Sequence, residues 1–376
     1  MTASSIRARS LAGALALLPF TIGVIPHPAP RAGEPADSHL SKGEYSYTVA
    51  SAPTLVQVAQ PQTLAPTTIS PSPSAGARFV RLWEYVGLLV VLGVIVFVHG
   101  VLPPLASRGV QTADAAQAAR GLGQIAAAFY LLAAAFRLAL QAGTIRVAEA
   151  APLRGIAEIV ARTSWGQSWL IGAIGALLVI VGFWLRMHKL AAGSPTALTG
   201  ALAMTLSPAL SGHAAAAKWF IPSVTLDALH VASIGAWLGT LAVLVIIGIP
   251  AMARVKDRNA DAAVSALVNS FHPIALLGAP LAVFAGVGSS ALRLGSISVL
   301  TSSRYGEVLI IKLVAVLLVV SFGAWNSMRS RRRLGTPHAT ASLRRTALTE
   351  VVLAALVLWV TTDLVATPVP TELHAP

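Results

Sequence analysis

The side chains with the clearest chemical potential are two histidines and an aspartate, His213, Asp227 and His230. Asp227 and His230 are three residues apart, so they share one face of a helix. His213 lies at the end of the preceding apolar segment, across a short loop. Neutral imidazole suits copper, zinc, iron and nickel, and a nearby carboxylate can ligate the metal or orient a ring. The spacing is compatible with a metal site and does not by itself decide for one. The alternative is that His213 lies at a membrane interface and Asp227 caps a helix.

The composition places these residues in a membrane protein. Of 376 residues, 55% are hydrophobic and 11% are charged, whereas soluble domains carry roughly 25% charged residues. The formal net charge of +13 comes from Lys and Arg in short loops between apolar segments, a pattern typical of membrane topology rather than of nucleic-acid binding. The absence of cysteine excludes disulfides and thiolate metal sites.

The apolar segments predict an all-α polytopic membrane protein with a bundle of eight transmembrane helices. They lie near residues 82–102, 119–140, 166–187, 196–216, 224–249, 271–292, 306–327 and 346–366. The fourth segment is the weakest, because it is rich in Ala, Ser and Thr and contains Pro208. A proline in a membrane helix is tolerated where neighbouring groups or water satisfy the freed carbonyl. In the fifth segment, Gly239 permits close helix contact.

The residues before the bundle differ in character. Residues 1–26 pair Arg7 and Arg9 with a short apolar run, which favours a signal peptide or an N-terminal anchor. Residues 27–77 are rich in Pro, Ser and Thr and predict an extended extracytoplasmic tether. Residues 78–376 form the predicted membrane domain.

The distribution of Lys and Arg predicts the orientation. The loops after the first, third, fifth and seventh segments hold about twice as many Lys and Arg residues as the opposite loops, so the former are expected in the cytoplasm. The tether and the C-terminus then lie outside a plasma (inner) membrane.

This orientation sorts the ionisable residues of the bundle by depth. The outer group comprises Glu84, Arg137, His213, Asp227, His230, Lys312 and Asp363. The inner group comprises His99, His272 and Glu350, with Asn326 nearby. Charged groups inside a bilayer are costly, so we expect Lys312 to pair with Glu84, Asp227 or Asp363, or else to extend its ammonium to the interface.

Catalytic and nucleotide-binding motifs do not occur. The sequence contains no nucleophile elbow, Walker motif, Gly-rich dinucleotide loop or His-Glu-x-x-His motif. We therefore expect a protein that is not an enzyme, and any transport to be passive or coupled to an ion gradient.

The second half of the chain resembles the copper resistance protein D (CopD) family of bacterial inner-membrane proteins, over about residues 205–370. The matching stretches are Ser211-Gly212-His213-Ala214, Leu229-His230, Gly235-Ala236-Trp237-Leu238-Gly239, Phe271 to Val287, Arg293-Leu294-Gly295-Ser296, Tyr305-Gly306, Asn326 and Arg344-Arg345 to Glu350. The first three segments match in hydrophobicity and order only.

The tether contains a second resemblance. Residues 36–49, which include Asp37 and His39, are similar to the last hairpin of the CopC-type copper-binding β-domain. In that family, an Asp-x-His at this place contributes to a Cu(II) site. The remainder of the β-domain is absent, and a lone hairpin is not stable in water, so we interpret this segment as a vestigial site.

The resemblance implies copper transport, with import toward the cytoplasm, through an outer site of His213, His230 and Asp227. The ion would be Cu(I) or Cu(II), the partners would be the lipid bilayer and an extracytoplasmic copper-binding protein, and His99 and His272 would form an inner site. Two alternatives remain open. The paired histidines also suit a b-type haem electron-transfer protein, and the protein could bind copper as an accessory without transporting it.

Overall fold

The computed structural model describes residues 74–144, 152–211, 219–254, 260–294, 298–331 and 339–367, and within these ranges it is helical without a strand. The helices are α1 (Ala75–Ala106), α2 (Ala113–Thr144), α3 (Pro152–Arg162), α4 (Ser164–Met187), α5 (Gly193–Ser211), α6 (Phe220–Ala253), α7 (Ala260–Leu294), α8 (Val299–Ser302), α9 (Arg304–Arg331) and α10 (Ala339–Ala366). The predicted all-α class is confirmed.

Seven helices of the described part are long and apolar enough to cross a membrane. They are α1, α2, α4, α6, α7, α9 and α10. The fourth predicted segment does form a helix, α5, but α5 is not among these seven, and the end of that segment at 212–216 lies outside the described residues. The structure thus supports seven spans and leaves the predicted count of eight unconfirmed. The predicted signal segment also lies outside the described residues.

Helix α1 begins at Ala75, earlier than the predicted first segment at residue 82. Ser74 provides the reason, because its Oγ accepts a hydrogen bond from the backbone N–H of Ala77 at 3.2 Å and so satisfies one of the free donors of the first turn. Thr163 caps α4 in the same way, with Oγ1 accepting from the N–H of Gly166 at 2.9 Å. Polar capping residues therefore set where these two spans begin.

Glycines allow the helices to approach closely. A Cβ on Gly93 of α1 would overlap the backbone of Gly239 in α6, so the two helices cross in near backbone contact. In α4, a Cβ on Gly175 would lie 2.6 Å from the carbonyl oxygen of Gly200 in α5. Small residues at helix crossings provide the packing that holds membrane helices together. The close contact predicted for Gly239 is confirmed.

In the described part of the chain, three π-helical turns interrupt the long spans. One is Phe97–Val101 in α1, and the other two are Gly235–Gly239 and Leu244–Gly248 in α6. Such turns are rare and frequently mark functional sites. The first contains His99, and the second coincides with one of the stretches that resemble the copper resistance family.

Candidate functional site

A cavity of about 200 Å³ lies among α1, α5, α6, α7, α9 and α10. Its polar side chains include Tyr85, Asp227, His230, Ser290, Arg293, Tyr305, Lys312 and Thr361. Most other lining residues are apolar, among them Trp237, Leu309, Val316 and Val357. We call this space the central pocket. The polar groups come from the end of the bundle where α1, α6 and α9 begin, which we call the pocket end.

His230 is fixed by two features of α7. Its Nδ1 lies 2.7 Å from the carbonyl oxygen of Ala282, and because a carbonyl only accepts, Nδ1 must carry the proton. A Cβ on Gly286 would lie 2.7 Å from Cε1 of His230 and 2.9 Å from Nδ1, so the glycine provides the space for the ring. In the neutral ring, Nε2 then keeps a free lone pair, which is the tautomer a metal-binding histidine needs.

Asp227 belongs to a polar cluster shared with α7. Its carboxylate accepts hydrogen bonds from the Ser289 hydroxyl and from Nη2 of Arg293. Asp227 and Arg293 therefore form an ion pair. Helix α6 begins at Phe220 after an N-cap at Trp219, so Asp227 lies well inside the helix. The alternative in which Asp227 caps this span is therefore wrong.

The ion pairs of the pocket end use arginines. Arg137 Nε lies 3.2 Å from Glu84, and Arg78 Nη1 lies 3.4 Å from Asp363. The guanidinium of Arg137 also lies over the ring of Trp165, 5.1 Å from its centroid. These pairs join α1 to α2 and α1 to α10, so they hold the ends of three spans together.

Lys312 takes no part in these ion pairs. The three acids expected as its partners, Glu84, Asp227 and Asp363, are held by arginines instead, and Lys312 makes no ion pair with any described residue. It lies in the wall of the central pocket. The expected ion pair of Lys312 is therefore wrong, because sequence spacing did not reveal that Arg78 and Arg293 reach the same acids.

Other members of the predicted metal sites lie outside the described residues. These are His213 of the outer site and Asp37 and His39 of the tether. Among the described residues, no group of three or more His, Asp and Glu side chains is arranged to hold a metal ion. The described part of the outer site thus consists of His230 and Asp227, both in the wall of the central pocket.

The predicted inner pair lies on two helices that touch. His99 is exposed in the π-helical turn of α1, where its Nδ1 lies 3.0 Å from the carbonyl oxygen of Ile95. His272 is half-buried in α7. A Cβ on Gly100 would lie 3.4 Å from Cδ1 of Ile274, so α1 and α7 pack against each other at this level.

A buried carboxylate lies elsewhere in the α9–α10 pair. Asn326 Nδ2 of α9 donates a hydrogen bond to Glu350 Oε1 of α10 at 2.5 Å, and both residues are buried. Their predicted proximity to the inner end was based on sequence position. The structure adds that they contact each other.

Sequence reasoning did not identify Gly286, Arg293 and Tyr305 as parts of the site. Gly286 and Arg293 stand in stretches that carry the family resemblance, and Tyr305 begins another. That membership was the available signal. Their roles depend on α7 and α9 lying beside α6, which spacing along the chain does not reveal.

Comparison with known proteins gives two family matches. Residues 72–219 match the family model described as copper resistance protein D-like, N-terminal domain, and residues 265–364 match copper resistance protein D. The first match covers spans that the sequence resemblance related only by hydrophobicity and order.

One curated relative and the search of solved structures complete the comparison. The chain is 25% identical over 186 residues to the copper transport protein CutJ of Bacillus subtilis (strain 168), which covers 48% of this chain and 34% of that protein. It therefore spans about one third of that relative's length. No solved structure matches the chain. Since family models match both the first and the last parts of the bundle, and a copper transport protein is a distant relative, the chain belongs to the copper resistance protein D family.

Proposed function

We propose that this protein transports copper across the bacterial plasma membrane toward the cytoplasm, with the copper ion as its substrate and His230 as a ligand near the entrance. The observation that carries the proposal is the geometry of His230. The hydrogen bond to Ala282 places the ring proton on Nδ1 and leaves Nε2 available to a metal. Membership of the copper resistance protein D family and the name of the Bacillus relative supply the choice of copper.

His213 is the proposed second ligand. Pro208 and Ala209 of α5 line the central pocket together with His230. His213 follows Ala209 by four residues, a stretch of chain that reaches at most about 14 Å, so the length of the chain is compatible with a site shared by His213 and His230. Asp227 completes the proposed site, either as a ligand or by keeping Arg293 away from the metal.

The proposed orientation and organisation follow the distribution of basic residues. With 19 residues, α5 extends about 28 Å at 1.5 Å per residue, close to the roughly 30 Å of a hydrocarbon core. We therefore include α5 as an eighth crossing, which places both ends of the bundle outside. A signal segment at 1–26 and a tether at 27–77 that carries Asp37 and His39 would precede it, and an extracytoplasmic copper-binding protein would deliver the metal.

The inner histidines are the proposed release site. His99 and His272 lie on touching helices, and the ring of His99 is exposed rather than packed among its neighbours. In His99→Ala/His272→Ala we expect copper to bind at the outer site as in the wild type, while copper flux into liposomes falls. Equal flux in the two proteins would remove these residues from the pathway.

The central test measures copper in proteoliposomes of wild type, His213→Ala and His230→Ala. His188→Ala is the matched control, since His188 is an exposed histidine that packs on Trp184, with ring centroids 4.6 Å apart, away from the central pocket. We expect copper accumulation to be lost in both site variants and kept in the control. Accumulation at the wild-type rate in His230→Ala would overturn the proposal.

Two further readouts separate the alternatives. Retained copper without flux would assign an accessory binding role. A Soret band in the purified protein, lost in the histidine variants, would assign haem electron transfer.

A further inference from the structure

The central pocket is much larger than a metal ion requires. A cavity needs roughly 10–15 Å³ to hold one water molecule, and this one measures about 200 Å³. Its walls are mostly apolar side chains of α6, α9 and α10. A space of this size and character suits a molecule with a hydrocarbon portion.

The polar groups of the pocket carry an excess of positive charge. Arg293 and Asp227 neutralise each other as an ion pair. Lys312 makes no direct ion pair with a described residue, and Asp227, the carboxylate that acts on it electrostatically, is already paired with Arg293, although an uncompensated charge within membrane-spanning helices is costly. A bound anion would compensate it.

Further hydrogen-bond donors lie beside this charge. The Tyr305 hydroxyl and the Arg293 guanidinium interact with each other, and neither this hydroxyl nor Nε of Arg293 makes a hydrogen bond of normal geometry to any described residue. Buried polar groups in native proteins are nearly always satisfied. An anionic oxygen in the pocket would provide the missing acceptor.

The charged and apolar parts of the pocket are separated along α9. Tyr305 and Lys312 lie toward the start of the helix, whereas Val316 and Val319 lie further along the same wall. From Tyr305 to Val319 the helix rises about 21 Å. The pocket therefore has a cationic end and an apolar end, which is the arrangement that an amphiphilic anion requires.

We propose that the central pocket binds one anionic phospholipid. Its phosphate lies against Lys312, Arg293 and Tyr305, and one acyl chain follows the wall formed by Val316 and Val319. The bilayer supplies this ligand to helices that span it. The proposal rests on charge, size and shape. The lipid would share the pocket with His230 and Asp227, so its binding is measured without copper, and the result does not depend on the transport of copper.

Native mass spectrometry of the delipidated full chain tests the proposal. The probes are dioleoyl phosphatidylglycerol, dioleoyl phosphatidylcholine and the water-soluble headgroup glycerol 3-phosphate. We expect one phosphatidylglycerol per chain, and about tenfold weaker retention of phosphatidylcholine, since both lipids carry an anionic phosphate but the quaternary ammonium of phosphatidylcholine would be repelled by the cationic end of the pocket. Glycerol 3-phosphate retained as well as phosphatidylglycerol would overturn the lipid assignment.

Variants locate the site. Lys312→Met keeps an unbranched side chain and should lower phosphatidylglycerol retention about tenfold. Arg304→Met removes an exposed charge from the same end of α9 and should bind as the wild type does. Val316→Phe fills the apolar part and should also lower retention. Phosphatidylglycerol bound equally by wild type and Lys312→Met, both shown to be folded by thermal unfolding, would overturn the proposal.

Discussion

Replacing Gly286 with alanine should disturb the proposed copper site although no proposed ligand is itself replaced. The new Cβ would lie 2.7 Å from Cε1 and 2.9 Å from Nδ1 of His230, both shorter than a normal van der Waals contact. The ring is held at 2.7 Å from the carbonyl oxygen of Ala282, so it can move only by giving up that hydrogen bond. The methyl group therefore separates the imidazole from the partner that orients it.

Two general magnitudes bound the expected effect on stability and on copper affinity. Forcing an extra methyl group into a packed site costs about 1–3 kcal/mol. Loss of the group that orients a metal-binding histidine typically lowers metal affinity by about 10- to 100-fold. In Gly286→Ala we therefore expect unfolding in detergent at a lower denaturant concentration and copper affinity reduced within that range.

A double-mutant cycle with His230→Ala checks the reasoning. Once the ring is removed, the added methyl group has space, so Gly286→Ala should cost little stability in that background. Gly288→Ala is the matched control, because its Cβ would meet a flexible leucine side chain, Leu226, at 3.3 Å. Unchanged copper affinity in Gly286→Ala, or an equal loss of stability in both backgrounds, would refute the reasoning.

Three further predictions follow from the packing and the site. Arg137→Ala leaves Glu84, only 4% exposed, without its ion-pair partner. Denaturant unfolding should show that the free energy of unfolding falls by about 3–5 kcal/mol, and Glu84→Gln in the same background should recover part of this loss. Gly93→Ala should destabilise the bundle strongly because its Cβ overlaps the backbone of α6, whereas Gly121→Ala, with open space around it, should not. A strong chelator should remove bound copper from the purified protein, and absorption spectra before and after should lack a Soret band.

Much of the helical framework could be predicted from the sequence. Apolar segments long enough to cross a bilayer must satisfy their backbone internally, so they form helices. Their ends were less predictable, as α1 shows, because a single side chain, Ser74, decides where the helix begins. The segment that became α5 was the weakest in the sequence and is also absent from the seven strongly apolar helices.

The candidate site was only partly predictable. The shared face of Asp227 and His230 follows from helix geometry, and both residues do line one pocket. Their partners did not follow, since Arg293 reaches Asp227 and Ala282 reaches His230 from a helix more than fifty residues later. The lack of an ion pair between Lys312 and any described residue was likewise hidden, because it depends on which arginines contact the acids.

The sequence by itself determined that this is a helical membrane protein, which residues are polar within its spans, and which family it resembles. Those properties depend on composition, periodicity and local motifs, all of which are present in the linear sequence. The tertiary structure decided which acid pairs with which base, which nitrogen of His230 stays free, and which residues line the central pocket. These features arise because α6, α7 and α9 pack side by side, and contacts between distant segments depend on how side chains fit together across the bundle.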